Sequence, residues 1–112
     1  MSAKRWITEM GMGVDVHGGD YTKAARRAVS DAIRHSSLNF FDAAGKNRDD
    51  MLIEVVIGVQ NPTAVNVDSV AQEIPYGTPT VRPVVGGLNV EAPNGFDFMV
   101  IANAAVLVSF AD

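Results

Sequence analysis

The chain has 112 residues, no cysteine, 47% hydrophobic residues and a net charge of −4 at pH 7. This size and composition predict a single folded domain, residues 1–112, and exclude a disordered or fibrous chain. The absence of cysteine excludes disulfides, cysteine-held clusters and a thiol nucleophile. The longest apolar run, residues 96–111, is shorter than a membrane span of roughly 20 residues. Because no signal-like leader opens the chain, we expect a cytoplasmic protein without a membrane partner.

The charges are unevenly distributed along the chain. Residues 1–48 contain eight of the nine Lys and Arg residues and five acidic residues. Residues 49–112 contain one basic residue and eight acidic residues. Nucleic acid normally selects a basic face with base-reading or aromatic side chains, so we do not expect it as a partner. The basic half is consistent with a small anionic ligand or with a solvated helix face.

The first predicted elements are a strand over residues 4–12, a glycine-rich turn from Gly11 to Gly19, and a helix capped by Asp20. The helix should end near residues 35–36, and residues 38–46 form an irregular apolar stretch. Alanine dominates the apolar side of this helix, which indicates that its backbone lies close to a sheet. The residues at helical spacing are Tyr21, Ala24, Ala25, Ala28, Val29, Ala32 and Ile33.

The second half of the chain predicts further strands and one short helix. Residues 51–59 are rich in β-branched side chains and predict a buried central strand. Asn66 can cap a short helix that ends before Pro75. In the third strand, residues 80–85, Pro83 indicates an edge or a bulge.

The last predicted elements follow a pair of glycines. Gly86-Gly87 predicts either a hairpin turn into a strand over residues 88–91 or a bulge. Residues 96–110 are rich in strand-forming residues, and Asn103 is expected to mark a bend between two strand segments.

The order β-α-β-α-β-β predicts an α/β (α+β) two-layer sandwich, with two helices on one face of a four- or five-stranded sheet. Two helices cover only one face of such a sheet. We expect the other face to carry Val55, Ile57, Val100 and Val106, which are too apolar for water. The sequence therefore predicts a homo-oligomer with closed symmetry.

The segment from Gly11 to Asp20 is the most function-like part of the sequence. Asp15 and His17 are two residues apart, so in an extended chain both side chains point to one face. They are the candidate catalytic residues, as an acid–base pair, and the candidate ligands of a divalent metal such as zinc or manganese. The following helix start attracts anions. The candidate ligand-binding residues are Gly13, Gly18, Gly19, Asp20, Thr22, Lys23 and Asn103.

Alternatives remain open at each of these positions. A metal would need a third ligand from Asp20, Asp42, a neighbouring subunit or a substrate. In the structural alternative, the glycines form a tight turn, Asp20 caps the helix, and Asp15 and His17 satisfy buried loop amides. Asn103 is either a buried amide at a strand bulge or a residue facing a shared pocket.

The motif Gly11-x-Gly13-x-Asp15-x-His17-Gly18, followed by residues 20–29, resembles an uncharacterised bacterial and plant family with an N-terminal GxGxDxHG signature. The similarity continues through residues 57–67, 86–88 and 101–106. It implies that Asp15, His17 and Asn103 belong to one shared pattern, and it implies no activity. The tripeptide Asp15-Val16-His17 is also similar to the metal-binding Asp-Val-His of methylerythritol cyclodiphosphate synthase.

Two functional hypotheses follow. In the first, an oligomeric protein binds a metal or a small anionic metabolite at the Gly11–Asp20 segment. If the protein is an enzyme, Asp15 and His17 are its catalytic pair. In the second, the chain is a non-catalytic assembly module, and the glycine-rich segment is only a strand-to-helix turn.

Overall fold

The computed structural model describes residues 4–34 and 47–110. Two helices pack on a five-stranded mixed sheet, which confirms the predicted α/β architecture. Within the described residues, no helix is long and apolar enough to cross a membrane. The predicted helix end at residues 35–36 and the apolar stretch at 38–46 lie outside the described residues.

The elements are β1 (Lys4–Asp15), α1 (Tyr21–Arg34), β2 (Leu52–Val59), α2 (Val67–Ala71), β3 (Thr78–Val85), β4 (Leu88–Glu91) and β5 (Phe98–Phe110), with 3₁₀ turns at Arg48–Asp50 and Pro62–Ala64.

Strand β5 is the centre of the sheet, whose order is β1-β5-β2-β3 with β4 also paired to β5. β5 runs antiparallel to β1, β2 and β4, whereas β2 and β3 are parallel. β4 pairs with residues 98–101 of β5, and β2 pairs with residues 103–109. β2 and β4 therefore follow one another along the same side of β5.

The Gly86-Gly87 pair carries the chain past the end of β2. The predicted hairpin turn is wrong, because β3 pairs with β2 and β4 pairs with β5. A Cβ on Gly86 would lie 3.0 Å from the Cα of Gly58 in β2, and a Cβ on Gly87 would overlap the carbonyl oxygen of Ile101. Two residues without side chains are needed because the crossing segment touches the backbones of both neighbouring strands.

Helix α1 packs directly on the backbone of β1. A Cβ on Gly11 would overlap backbone atoms of Ala28 and Ala32, and a Cβ on Gly13 would overlap backbone atoms of Ala24 and Ala28. The prediction that β1 ends at residue 12 and that Gly11 opens a turn is therefore wrong. Gly11 and Gly13 are strand residues, and their lack of a side chain allows the alanine side of α1 to approach the sheet.

The core lies between this helical layer and one face of the sheet. Val55, Ile57, Val100 and Val106 are all buried in it, at most 4% exposed. The prediction that these four residues cover the helix-free face is wrong, because it assigned the alternating strand residues to the opposite sides. The helix-free face is called the open face below, and it carries the alternate residues of each strand. Its apolar members are Met10, Met12, Val14, Leu52, Val56, Leu88, Ile101, Ala105 and Leu107, and the others include Thr8, Glu54, Gly58, Thr80, Arg82, Asn103 and Ser109.

Side chains of α1 occupy part of the free edge of β1. The backbone N–H of Met12 donates to Asp31 Oδ2 at 3.0 Å. Arg27 Nη1 donates to the carbonyl oxygen of Val14 at 2.6 Å. Backbone groups that an added strand would need are thus bound within the chain.

Strand β3 forms the opposite edge, as Pro83 predicted. The N–H of Thr78 donates to the carbonyl oxygen of Met51 at 2.9 Å, so the even-numbered residues of β3 turn their backbone groups toward β2. The odd-numbered residues face outward, and they include Pro79 and Pro83, which have no N–H. Proline therefore removes donors from the exposed side of this strand.

Two further predictions concern Asn66 and Asn103. Asn66 caps α2 as predicted, and its Oδ1 accepts from the N–H of Ser69 at 3.1 Å. Asn103 does not divide β5 into two segments, since the strand is continuous from Phe98 to Phe110 and pairs Asn103 with Met12 and Gly58. Asn103 is exposed on the open face, so the interpretation as a buried amide at a bulge is also wrong.

We predict that Gly13→Ala lowers the free energy of unfolding by about 2 kcal/mol or more, because the added methyl group must push α1 away from β1. Urea unfolding followed by circular dichroism measures this change. Gly58→Ala is the matched control, because its Cβ would have 3.4 Å to the nearest atom. Equal destabilisation by the two substitutions would contradict the close α1–β1 packing.

Candidate functional site

Residues 16–19 form the loop between β1 and α1. Gly18 and Gly19 have φ angles of +90° and +59°, which residues with a Cβ rarely adopt. A Cβ on Gly19 would also lie 2.5 Å from the ring of Phe98 at the start of β5. The loop therefore packs against the β4–β5 connection, which is far away in sequence.

Asp15 holds the inner side of this loop. It is only 2% exposed, and its Oδ2 accepts from the N–H of Asp20 at 2.8 Å. The Nζ of Lys23 lies 3.8 Å from Oδ1, so a cation lies close to the buried carboxylate. Asp20 in turn accepts from the N–H of Lys23 at 3.0 Å, which agrees with its predicted role as the cap of α1.

Asp97, from the β4–β5 connection, holds the outer side of the loop. Its Oδ2 lies 3.3 Å from His17 Nδ1, and its Oδ1 accepts from the N–H groups of Gly18 at 3.2 Å and of Phe98 at 2.8 Å. The backbone donor of Phe98, then that of Gly18, and then His17 lower the pKa of Asp97 below its ordinary value of 3.8. The His17 side chain is 86% exposed, so this pair lies at the surface.

The predicted site residues therefore occupy three different environments. Asp15 and His17 have different partners: the start of α1 for Asp15 and Asp97 for His17. Gly13 is buried under α1, and Asn103 lies on the opposite face of the sheet. Across residues 4–34 and 47–110, no three His, Cys, Asp or Glu side chains are grouped so that they could hold a metal.

Asp20, Thr22 and Lys23 do come together, at one end of a polar groove beside α1 and α2. The groove has a volume of about 460 Å³. It combines three cationic side chains, two carboxylates and three hydroxyl groups, and we call it the α1–α2 groove. Its lining residues are Asp20, Thr22, Lys23, Arg26, Arg27, Ser30, Ser69 and Glu73.

Hydrogen bonds across the α1–α2 groove hold its walls in place. Arg26 Nε donates to Glu73 Oε1 at 2.7 Å, and Arg26 Nη1 donates to Ser69 Oγ at 3.3 Å. At the other end, Thr22 Oγ1 accepts from the N–H of Asn66 at 2.9 Å, which ties the first turn of α1 to the cap of α2. The groove is therefore an ordered arrangement of polar groups.

Sequence reasoning identified one end of the α1–α2 groove and missed the rest. Lys23, Arg26, Arg27 and Ser30 recur at helical spacing, so a polar stripe on α1 was readable from the sequence. The contribution of Ser69 and Glu73 required the packing of α2 against α1. Asp97, which is 80 residues from its partner His17, had no local signal.

We predict that Asp97→Ala destabilises the protein, and that this effect depends on pH. Because the pKa of Asp97 is lowered in the folded state, its contribution is complete well above pH 3.8 and is lost as the pH falls through the lowered pKa. The difference in unfolding free energy between wild type and variant should therefore shrink between pH 6 and pH 3, as measured by urea unfolding.

Asp97→Asn is the control for this prediction, because its amide oxygen can still accept from the loop N–H groups without carrying a charge. We expect a smaller deficit than in the alanine variant. A deficit in Asp97→Ala that is the same at pH 6 and pH 3 would contradict the role of the carboxylate.

Comparison with known proteins identifies relatives but no activity. A solved structure from Nostoc punctiforme PCC 73102, described as an FtsZ-like protein of unknown function, is 39% identical to this chain. The match covers 100% of this chain and 99% of the other, with a TM-score of 0.89. No curated protein matches. The family model of a conserved hypothetical protein, Lin0512_fam, matches residues 5–108, and the chain belongs to this family.

Proposed function

We propose that the protein binds a small anionic metabolite in the α1–α2 groove. The observation that carries this proposal is the set of three cationic side chains, Lys23, Arg26 and Arg27, on a groove of about 460 Å³. This volume is within the range of small-molecule sites. Hydroxyl groups on the same walls can donate further hydrogen bonds to the oxygens of a phosphate or carboxylate.

The N–H donors of the groove cations can bind an anion, although the whole chain has a net charge of −4. Three cations line the groove with two carboxylates; Glu73 is paired with Arg26 at 2.7 Å, and the buried carboxylate of Asp15 lies 3.8 Å from Lys23 Nζ. Arg27 uses Nη1 for the Val14 carbonyl, and a guanidinium has five N–H donors in all. The groove can therefore give several charge-assisted hydrogen bonds to one ligand.

Asp15 has a positioning role in this proposal. Its buried carboxylate lies beside Lys23 Nζ and binds the N–H of Asp20, so it fixes both the start of α1 and the cation at the end of the groove. The catalytic and metal-binding predictions remain proposals; they pair this buried carboxylate with His17, whose side chain is 86% exposed and contacts Asp97. Metal bound there would need further ligands from Asp20, from Asp42, which lies outside the described residues, from a substrate or from another subunit.

Metal analysis separates these two forms of the proposal. Tag-free wild type and His17→Ala, each incubated with zinc or manganese, are compared by plasma mass spectrometry after removal of free metal. Near-stoichiometric metal that disappears in His17→Ala would favour the metal form. The same metal content in both proteins would contradict His17 as a ligand.

A second candidate function is that of a homo-oligomeric assembly module with closed symmetry. The observation in its favour is the exposure of large apolar side chains on the open face, where Met10 is 71% and Met12 is 54% exposed. Exposed apolar surface of this kind marks interaction sites. The two proposals are compatible, because the α1–α2 groove and the open face are on opposite sides of the sheet.

For the anion proposal, we predict that at least one of inorganic phosphate, citrate and ribose 5-phosphate, at about 10 mM, raises the melting temperature of the wild type. Lys23→Gln should weaken this binding about tenfold or more, because it removes a charge-assisted hydrogen bond. Thermal-shift titrations at constant ionic strength give the apparent Kd.

Arg82→Gln is the matched control, since it removes one positive charge at a site that pairs with Glu54 and lies outside the groove. Binding to this variant should equal that of the wild type. Anion binding that is weakened equally in both variants, or no stabilisation by any of the three anions, would contradict the proposal.

A further inference from the structure

The open face presents its side chains in regular rows across the sheet. One row contains Met10, Ala105 and Val56, and the next contains Met12, Asn103 and Gly58. The two methionines lie on the edge strand β1 and are exposed, whereas the residues beside them are small. The face therefore has a raised apolar border along β1 and a shallow centre at Ala105, whereas the Gly86-Gly87 crossing lies beside Gly58.

We infer that a second copy of this chain packs on the open face, sheet against sheet, around a two-fold axis. This inference rests on the proposed assembly and adds the surface and the partner. In a two-fold pairing, the same face meets itself, so each contact occurs twice. The methionine border of one copy can then lie over the shallow centre of the other.

The size of the open face is that of a stable dimer interface. At about 3.3 Å per residue and about 4.8 Å between strands, the five strands present a face of about 700 Å². Each partner in a standard-size complex contributes about 800 Å². A short peptide strand would cover only a fraction of this area, whereas a second sheet covers it completely.

The distribution of side chains also fits a second copy. The middle of the face is apolar, with Val56, Ala105 and Leu107 half-buried even in the single chain. The charged groups lie on β2 and on the edge strand β3, where Glu54 Oε1 and Arg82 Nη2 are 3.7 Å apart. An apolar centre with a polar rim is the usual composition of a protein interface.

Asn103 is the polar exception in the middle of this apolar surface. A two-fold axis that passes close to Asn103 would bring the two amides together, so that each could donate to and accept from the other. A single polar residue in an apolar interface favours one register over others, because sliding would leave its amide unpaired. Asn103 is thus a residue that specifies the pairing.

The inference is tested by light scattering after size-exclusion chromatography, with wild type, Met10→Glu, Met12→Glu and Val67→Glu. Val67 is 39% exposed at the start of α2 on the opposite layer, so its substitution introduces the same charge away from the open face. We expect a wild-type dimer at about 50 µM, a dimer Kd raised about tenfold or more in the two methionine variants, and an unchanged dimer in Val67→Glu.

The outcomes separate this inference from the assembly proposal on which it rests. A monomeric wild type at about 100 µM would refute both. An oligomeric wild type whose Met10→Glu and Met12→Glu variants remain associated would refute only the open face as the interface. Dissociation of Val67→Glu as complete as that of the methionine variants would also contradict the surface assignment.

A second measurement does not depend on weakening the dimer. The chain has no cysteine, so Ala105→Cys introduces a single thiol in the middle of the open face and leaves Asn103 in place. A bis-maleimide linker that spans about 10 Å, the spacing of two packed sheets, should give a covalent dimer of Ala105→Cys but not of Ser30→Cys, whose thiol lies on α1. Covalent dimer in equal yield from both variants, or in neither, would contradict the sheet-to-sheet pairing.

Discussion

The direct contact between α1 and β1 is the constraint on which the other features of the molecule depend. Gly11 and Gly13 present bare backbone to Ala24, Ala28 and Ala32, so the helix lies closer to this strand than side chains would allow. Close packing of this kind leaves no room for adjustment, because interiors are as dense as organic crystals. The position of the helix in turn fixes the start of α1 and every polar group on its outer side.

The loop between β1 and α1 is held from two sides by carboxylates of different character. Asp15 is buried and acts on the start of the helix, whereas Asp97 is at the surface and acts on the glycine-containing loop. The same two residues place the cation of Lys23 and the imidazole of His17. Substitution of either carboxylate must therefore be judged by its effect on folding as well as on any binding.

Local patterns predicted the helices and most strands, because they depend on residues close in sequence. The alanine-rich stripe of α1 and the cap at Asn66 are examples. The sequence could not show which strand face meets the helices, since β2 is apolar at both Val55 and Val56. Only the packing of α1 and α2 decides between the two alternating sets.

The errors at glycine positions have a related physical cause. Glycine favours turns, but it is also required where two backbones touch. A high density of glycines in the sequence does not distinguish these two uses. Gly11 and Gly13 are contact glycines within a strand, and Gly86 and Gly87 are contact glycines in a crossing. The sequence predicted only part of the candidate site. Lys23 and Arg26 could be placed together because they share one helix, whereas Glu73 reaches the groove through tertiary packing.

The β1 and β3 edges of the sheet limit the addition of further strands beside the exposed apolar face. Asp31 and Arg27 occupy backbone groups on the β1 edge, and Pro79 and Pro83 remove donors from the outer side of β3. Neither edge offers a complete ladder on which strands from further chains could stack into a growing fibre. Association through the apolar face, as proposed above, would therefore not extend by strand addition at these two edges.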